Sequence, residues 1–262
     1  MSFENSISEF SELAMIVPCY NEELRLTPDY WNYIISKSNR IKWCFVDDGS
    51  NDNTLSLLKS FDKRCQVLKL DKNSGKGEAI RFGLNQVLES RLATGAVGYV
   101  DSDMAFSQDE ILDFCFESLA ILNSNAEIDA VVASRVKLAG TQIARSAKRH
   151  FLARIIATIF GFFWSEIPYD TQCGLKIFRI SSAMEDSVRL AFQTRWLIDI
   201  ELFVRISKFK GGSISLIERP IKFWREIGDS KISGMEYFRI ATEVVSIIVI
   251  IQRCFKSAKR LR

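Results

Sequence analysis

The chain has a single histidine, His150, which excludes the multi-histidine zinc sites. Its six cysteines (Cys19, Cys44, Cys65, Cys115, Cys173 and Cys254) never fall in a Cys-x-x-Cys pair, so zinc ribbons and thioredoxin-like redox motifs are excluded too. There is no run of 18 apolar residues and no opening signal peptide. A spanning helix and export are therefore not expected, and the thiols are expected to stay reduced in an intracellular protein. With only four prolines there is no Pro/Gly linker, and no internal repeat or low-complexity segment occurs. Excess charge is scarce as well: 35 Lys+Arg against 32 Asp+Glu leave a net +3, too little to imply nucleic-acid binding.

What is present is apolar. Of 262 residues 47% are hydrophobic, enough for a real core and incompatible with disorder or a small disulfide scaffold. Short apolar runs read as buried strands: 13–18, 43–47, 66–70, 97–101 and 129–134. Helical patterns separate them. Thr27-Pro28 opens one that runs to Lys37, and 53–61, 78–89 and 108–123 follow. Strand–helix alternation predicts an α/β fold with a doubly wound, mostly parallel sheet, whose ligands bind beyond the carboxyl ends of the strands. In the second half a long helix is expected over 144–163, a strand over 175–179, a helix over 199–208 and a strand over 213–221. A last amphipathic helix over 236–255 carries a basic tail. One domain over 1–234 with a C-terminal helical appendage, 235–262, fits this pattern.

Acidic residues collect at the strand ends. Pro18-Cys19-Tyr20-Asn21-Glu22-Glu23 follows the first strand, Asp47-Asp48-Gly49-Ser50 the second, and Asp101-Ser102-Asp103 the fourth. A lone acidic strand end is often just a turn. Three on one rim, where an anionic ligand binds, make sense if a divalent cation lies between them. In an extended strand end residues i and i+2 point the same way, so Asp101 and Asp103 can converge on one hard cation bridging a diphosphate. The segment Asn73-Ser74-Gly75-Lys76-Gly77-Glu78 is no Walker A loop, since Leu70 stands where its first glycine belongs and no Ser/Thr follows Lys76. It also fails the dinucleotide fingerprint, with Ile80 at the third glycine. It remains a glycine-loosened helix start whose lysine can approach a nucleotide.

In order, Val-Pro-x-Tyr-Asn-Glu, Val-Asp-Asp-Gly-Ser-x-Asp, Asn-x-Gly-Lys-Gly-x-Ala and the Asp-x-Asp resemble family two inverting glycosyltransferases of the GT-A fold. Further motifs resemble the dolichyl-phosphate β-glucosyltransferase and mannose synthase group: Ala133-Ser134-Arg135, Arg145-Ser146, Asp170-Thr171-Gln172-Cys173-Gly174-Leu175-Lys176, Arg195-Trp196 with Asp199-x-Glu201-Leu202, and Trp224-x-Glu226-Ile227 with Ser230-Lys231. The likeness runs from Leu13 to Lys231 and implies transfer of glucose from UDP-glucose to a polyprenyl phosphate, dolichyl or undecaprenyl, at the cytosolic membrane face. Three departures stand out. The eukaryotic enzymes carry an N-terminal membrane helix, whereas this chain starts almost at its first strand, which points to a bacterial or archaeal type of relative. The family's Asp-Gly-Ser-Lys reads Gly228-Asp229-Ser230-Lys231, and Ser102 replaces the usual alanine.

By this resemblance Asp48 and the turn residues Pro18, Tyr20, Asn21 and Glu22 hold the nucleoside. Lys76 and Ser102 belong to the same donor site, and Asp101 and Asp103 hold Mg²⁺ or Mn²⁺ on the diphosphate. Ala105 stands where mannose synthases can add a glutamine, so water or phosphate completes the shell. Arg135, Arg145, Arg149 and Lys231 are the cations for the acceptor phosphate. Asp199 or Glu201 occupies the position of an acidic base, with Asp170 a second candidate. A phosphate monoester has its second pKa near ~6, so it needs positioning more than a base. The aromatic patch 160–164 and the apolar 244–251 segment are too short to span a bilayer and are expected to bind its surface, or else to pack on the domain or in a homo-oligomer. Two alternatives remain open: a soluble saccharide acceptor, which would need a true general base, and a non-catalytic nucleotide-sugar-binding module.

Overall fold

The computed structural model describes residues 13–37, 39–144, 146–227 and 234–259, without the side chains of 147–150, 234–239 and 253–259. Arg145 and Lys231 lie outside the described residues, and for Arg149 only the helical backbone is described. In chain order the strands are β1 (Leu13–Cys19), β2 (Ile41–Asp47), β3 (Gln66–Lys69), β4 (Ala96–Val100), β5 (Ala130–Ser134), β6 (Gln142–Ala144), β7 (Leu175–Arg179), β8 (Leu216–Pro220) and β9 (Phe223–Arg225). The helices are α1 (Pro28–Ser36), α2 (Thr54–Lys59), α3 (Lys76–Glu89), α4 (Gln108–Ser124), α5 (Ala147–Gly161), α6 (Ser182–Arg189), α7 (Ile198–Phe209) and α8 (Gly234–Lys259).

Seven strands form one sheet in the order β3-β2-β1-β4-β7-β5-β8, and β6 and β9 pair in a small second sheet. All neighbours in the large sheet run parallel except β7, which is antiparallel to both β4 and β5. That reversal matters for the site. Val100 pairs with Leu175, so the start of β7 meets the carboxyl end of β4 on one rim. The sheet is buried on both faces, and alternate residues divide between two cores. Ile16, Val97, Tyr99 and Phe178 face one core with residues of α3, α6 and α7. Met15, Val100 and Ile177 face the other, where Trp31, Trp43, Phe45 and Phe61 pack edge to face. Each such aromatic pair contributes about 0.5–1.5 kcal/mol beyond area burial.

Several boundaries differ from expectation. The helix expected from Ala144 opens at Ala147, because Gln142–Ala144 pair with Phe223–Arg225 as a strand. The strand expected from Ser213 starts at Leu216, after a turn through Gly211 and Gly212 at positive φ. Helix α6 was not expected; the Ser181 side chain caps it by accepting the Met184 N–H. The aromatic patch is split by helical geometry: Phe160 and Trp164 are buried, whereas Phe162 and Phe163 are exposed. The C-terminal helix is split likewise. Ile240, Ile247 and Ile251 enter the core beside α7, leaving Val245 and Val249 outward. Among the described residues no helix is long and apolar enough to cross a membrane.

Candidate active site

The first two strand ends are stitched together by side chains. Asn21 sits at φ 51°, a left-handed conformation that asparagine tolerates. Its N–H donates to Ser50 Oγ (3.0 Å), and its Oδ1 accepts from Asn51 N (2.9 Å). The Glu22 N–H donates to Thr54 Oγ1 at 2.8 Å, and the Glu22 carboxylate pairs with Arg25 at 2.6 Å. Pro18 is buried at the end of β1, beyond the last residue paired with β4, so its missing N–H costs no ladder bond there. Tyr20 is exposed. The result is a rigid shelf at the carboxyl ends of β1 and β2.

Asp48 ties this shelf to the next loop. Its oxygens accept the N–H groups of Ser74 (2.7 Å) and Gly75 (2.8 Å). Burial pushes its carboxyl upward against the pull of those two amides. The sequence suggests a ribose or uracil ligand; the structure shows a group already engaged with backbone, which shapes the Asn73–Gly75 loop. Gly49 is required beneath it, because at φ +67° a Cβ would stand 2.5 Å from the Lys72 carbonyl carbon.

Lys76 opens α3 and places its ammonium 2.5 Å from Asp101 Oδ1. Partial desolvation pulls Lys76 down, but the carboxylates of Asp101, Asp199 and Asp103 outweigh it, so it titrates above its ordinary value. The chain at Asp101 is not extended. Ser102 and Asp103 form a turn and Met104 lies at φ 56°, so the two carboxylates approach each other through a turn and not through strand alternation. Burial, then the charge of Asp101, pushes the Asp103 carboxyl up, although the Ala105 N–H and Lys76 favour its ionised form. Ser102 is buried and hydrogen-bonds the Cys19 sulfur, turning inward between its acidic neighbours. Gly174 lies directly against Asp101: its carbonyl accepts the Asp101 N–H at 2.9 Å, and a Cβ would fall 2.0 Å from Asp101 Oδ2. Only glycine leaves room for that carboxylate.

A divalent cation fits this turn by donor chemistry. The oxygens are hard, and the two carboxylates repel one another with only the Lys76 ammonium, 2.5 Å from Asp101 Oδ1, to offset their charge. Among the described residues no third His, Cys, Asp or Glu joins them.

Beneath the turn lies a charged group that sequence reasoning missed. Lys176, fully buried, pairs across the strands with Tyr99 on the same face of the sheet. Its ammonium sits 2.5 Å from Asp199 Oδ1 and donates to the Cys173 carbonyl. The Tyr99 hydroxyl donates to the same Asp199 oxygen. Burial and the Asp199 charge hold the Tyr99 phenol well above its usual range. The available signal was a lysine inside the apolar strand Leu-Lys-Ile-Phe-Arg, since such a lysine is buried only when paired.

Other expected site residues are committed elsewhere. Glu201 accepts the Gln193 and Thr194 N–H groups, the Thr194 hydroxyl and Arg205, so it holds a loop. Asp170 accepts Arg135 Nε (2.7 Å) and Nη2 (2.8 Å) and the Arg135 N–H (3.1 Å). A residue expected as a base and another expected as a phosphate cation thus form one buried fork. Arg135 also lies over the Trp224 ring, 5.0 Å from its centroid.

Two hollows flank the turn. One of about 150 Å³ is lined by Ser74, Gly75, Glu78, Phe192, Thr194 and Arg195. The other is an open groove of about 470 Å³ along β6 and β9, lined by Lys137, Ile143, Ala144, Trp224 and Arg225 among others. It begins beside the Asp-x-Asp turn, since the Arg225 N–H donates to the Ala105 carbonyl at 2.9 Å.

The model of glycosyl transferase family 2 matches residues 14–173. The chain belongs to this family. It is 34% identical over 257 residues to a dolichyl-phosphate β-glucosyltransferase of Trichomonas vaginalis, covering 89% of this chain and 70% of that one. The human dolichyl-phosphate β-glucosyltransferase is 30% identical over 239 residues, covering 86% and 71%. Among solved structures, Mycobacterium tuberculosis glucosyl-3-phosphoglycerate synthase with Mn²⁺, UDP-glucose and phosphoglyceric acid superimposes with a TM-score of 0.65 at 15% identity, over 93% of this chain and 80% of that one. The fold of this glycosyltransferase is therefore GT-A, as expected.

Proposed function

We propose that this family 2 glycosyltransferase moves glucose from UDP-glucose to a polyprenyl phosphate with inversion at the anomeric carbon. The observation that carries the reading is the contact between Asp101 and Gly174: the general donor motif and the Asp-Thr-Gln-Cys-Gly block meet at one point of the rim. The shelf of Asn21, Glu22 and Ser50, with exposed Tyr20, receives the nucleoside, and Asp48 keeps the Ser74–Gly75 loop at its edge. Lys76 and the Asp101–Asp103 turn face the diphosphate. Asp101 and Asp103 would hold Mg²⁺ or Mn²⁺, which when bound would supply charge compensation for the departing nucleotide.

The acceptor lies in the β6–β9 groove, where Lys137 and Arg225 line the wall and Arg145 follows Ala144 in sequence. Its phosphate arrives largely ionised and attacks without a strong base. Asp199, fixed by Tyr99 and Lys176, acts electrostatically on the sugar side, whereas Glu201 and Asp170 hold loops. Exposed Phe151, Ile155 and Phe162 on and just after α5, and Val245 and Val249 on α8, support peripheral attachment at the membrane face where the lipid lies.

The test is a transfer assay with radiolabelled UDP- and GDP-sugars, polyprenyl phosphate and Mn²⁺. Label from UDP-glucose is expected in the organic phase. Label found only in water-soluble saccharide overturns the acceptor, and label from another nucleotide sugar overturns the donor.

A further inference from the structure

Glu243 is the one acid in the apolar stretch 240–251 of α8, and it is buried. Its Oε1 accepts the Arg195 N–H at 3.0 Å, and its Oε2 accepts those of Trp196 (2.9 Å) and Leu197 (3.1 Å). These amides lie at the start of α7, where backbone donors lack intrahelical partners, and the N-cap Leu197 offers no side-chain cap. An acid from another helix does that work. Glu201 meanwhile takes the N–H groups of Gln193 and Thr194, so residues 193–197 hang on two buried carboxylates. Between these supports Arg195 points an exposed guanidinium at the donor loop: a Cβ on Gly75 would stand 3.0 Å from its Nη2, and its charge acts on Asp48. It makes no ion pair among the described residues. With Ser74, Gly75 and Thr194 it lines the smaller hollow, one residue from Lys76.

We infer that Arg195 is a donor-binding cation for the nucleoside diphosphate and that Glu243, from the C-terminal helix, is the residue that positions it. The inference rests on the donor reading above. Helix α8 then contributes to the donor site's framework through the Glu243 carboxylate, not through its apolar packing.

Full-length protein is titrated calorimetrically with UDP, and in parallel with GDP, in the presence of Mn²⁺. Glutamine has one acceptor oxygen, so Glu243→Gln serves two amides at most and should weaken UDP about tenfold. Arg195→Ala, at an exposed side chain, should weaken it by a similar factor, and the double variant should be no worse than Arg195→Ala alone. Ile247→Ala loosens α8 without touching the loop; its Tm should fall while Kd stays within about twofold. An additive double variant, an unaffected Glu243→Gln, or equal weakening by Ile247→Ala overturns the positioning role. Wild-type protein that binds neither UDP nor GDP overturns the donor reading itself, and the inference with it.

Discussion

In the half of the sheet made by β3, β2, β1 and β4, connections are short and helices follow strands directly. The acids at these strand ends gather at the rim, where Asp101 and Asp103 crowd each other and draw Lys76 between them. In the half made by β7, β5 and β8, connections are longer and irregular, and the acids face backbone amides. Asp129 accepts the Ser215 N–H and Lys210, Glu218 the N–H groups of Tyr169 and Asp170, and Glu110 those of Lys222 and Phe223. Glu201 and Glu243 follow the same rule. Irregular chain leaves buried amides without ladder partners, and an ionised carboxylate is the strongest acceptor a side chain can offer them. An acid in a GT-A second half is therefore a candidate base only after its hydrogen bonds have been counted.

Lys176→Met should give the largest effect, because it leaves Asp199 buried without its cation: a loss of about 3–5 kcal/mol in urea denaturation. Restoration by the added change Asp199→Leu would confirm that the pair is compensated charge; a stable single variant would break the comparison. Next comes Asp103→Asn on the rim, with kcat lower by about 100-fold, or roughly 3 kcal/mol. Its Tm should hold or rise. The fold raises the Asp103 carboxyl, so ionising it costs stability as pH climbs above the ordinary carboxylate range, and asparagine removes that cost.

A smaller loss, about 2 kcal/mol, is expected for Glu201→Gln, with kcat per folded molecule within about threefold of wild type. A hundredfold drop in kcat at unchanged Tm would instead make Glu201 the base. The smallest effect is on metal affinity. Because Asp103 keeps its proton to higher pH than a free carboxylate, Mn²⁺ binding should weaken as pH falls from 7 to 5. Flat affinity across that range would remove Asp103 from the metal site.

Local pattern was enough for much of the first half. The strands at 13–18, 43–47 and 66–70 and the helices between them follow from apolar runs, a Thr-Pro start and glycine turns, all set by neighbours in the chain. The rim carboxylates were legible for the same reason, since a parallel sheet puts every strand's carboxyl end on one side. Lys176, Gly174 and Glu243 were not. Each acts on a residue far away in sequence, and only the antiparallel entry of β7 and the packing of α8 bring them there. Asp170 and Arg135 looked like two separate functional groups because nothing local records that they face one another at 2.7 Å.

By itself, then, the sequence determined the alternation of strands and helices, the acidic rim and the family motifs, because these depend on side-chain periodicity and turn chemistry within a few residues. Tertiary structure decided which acids remain at the rim and which are drawn into holding loops. It also decided that the C-terminal helix belongs to the core. Both outcomes depend on which buried amides and charges lack partners once the sheet has closed, a condition no local stretch of sequence contains.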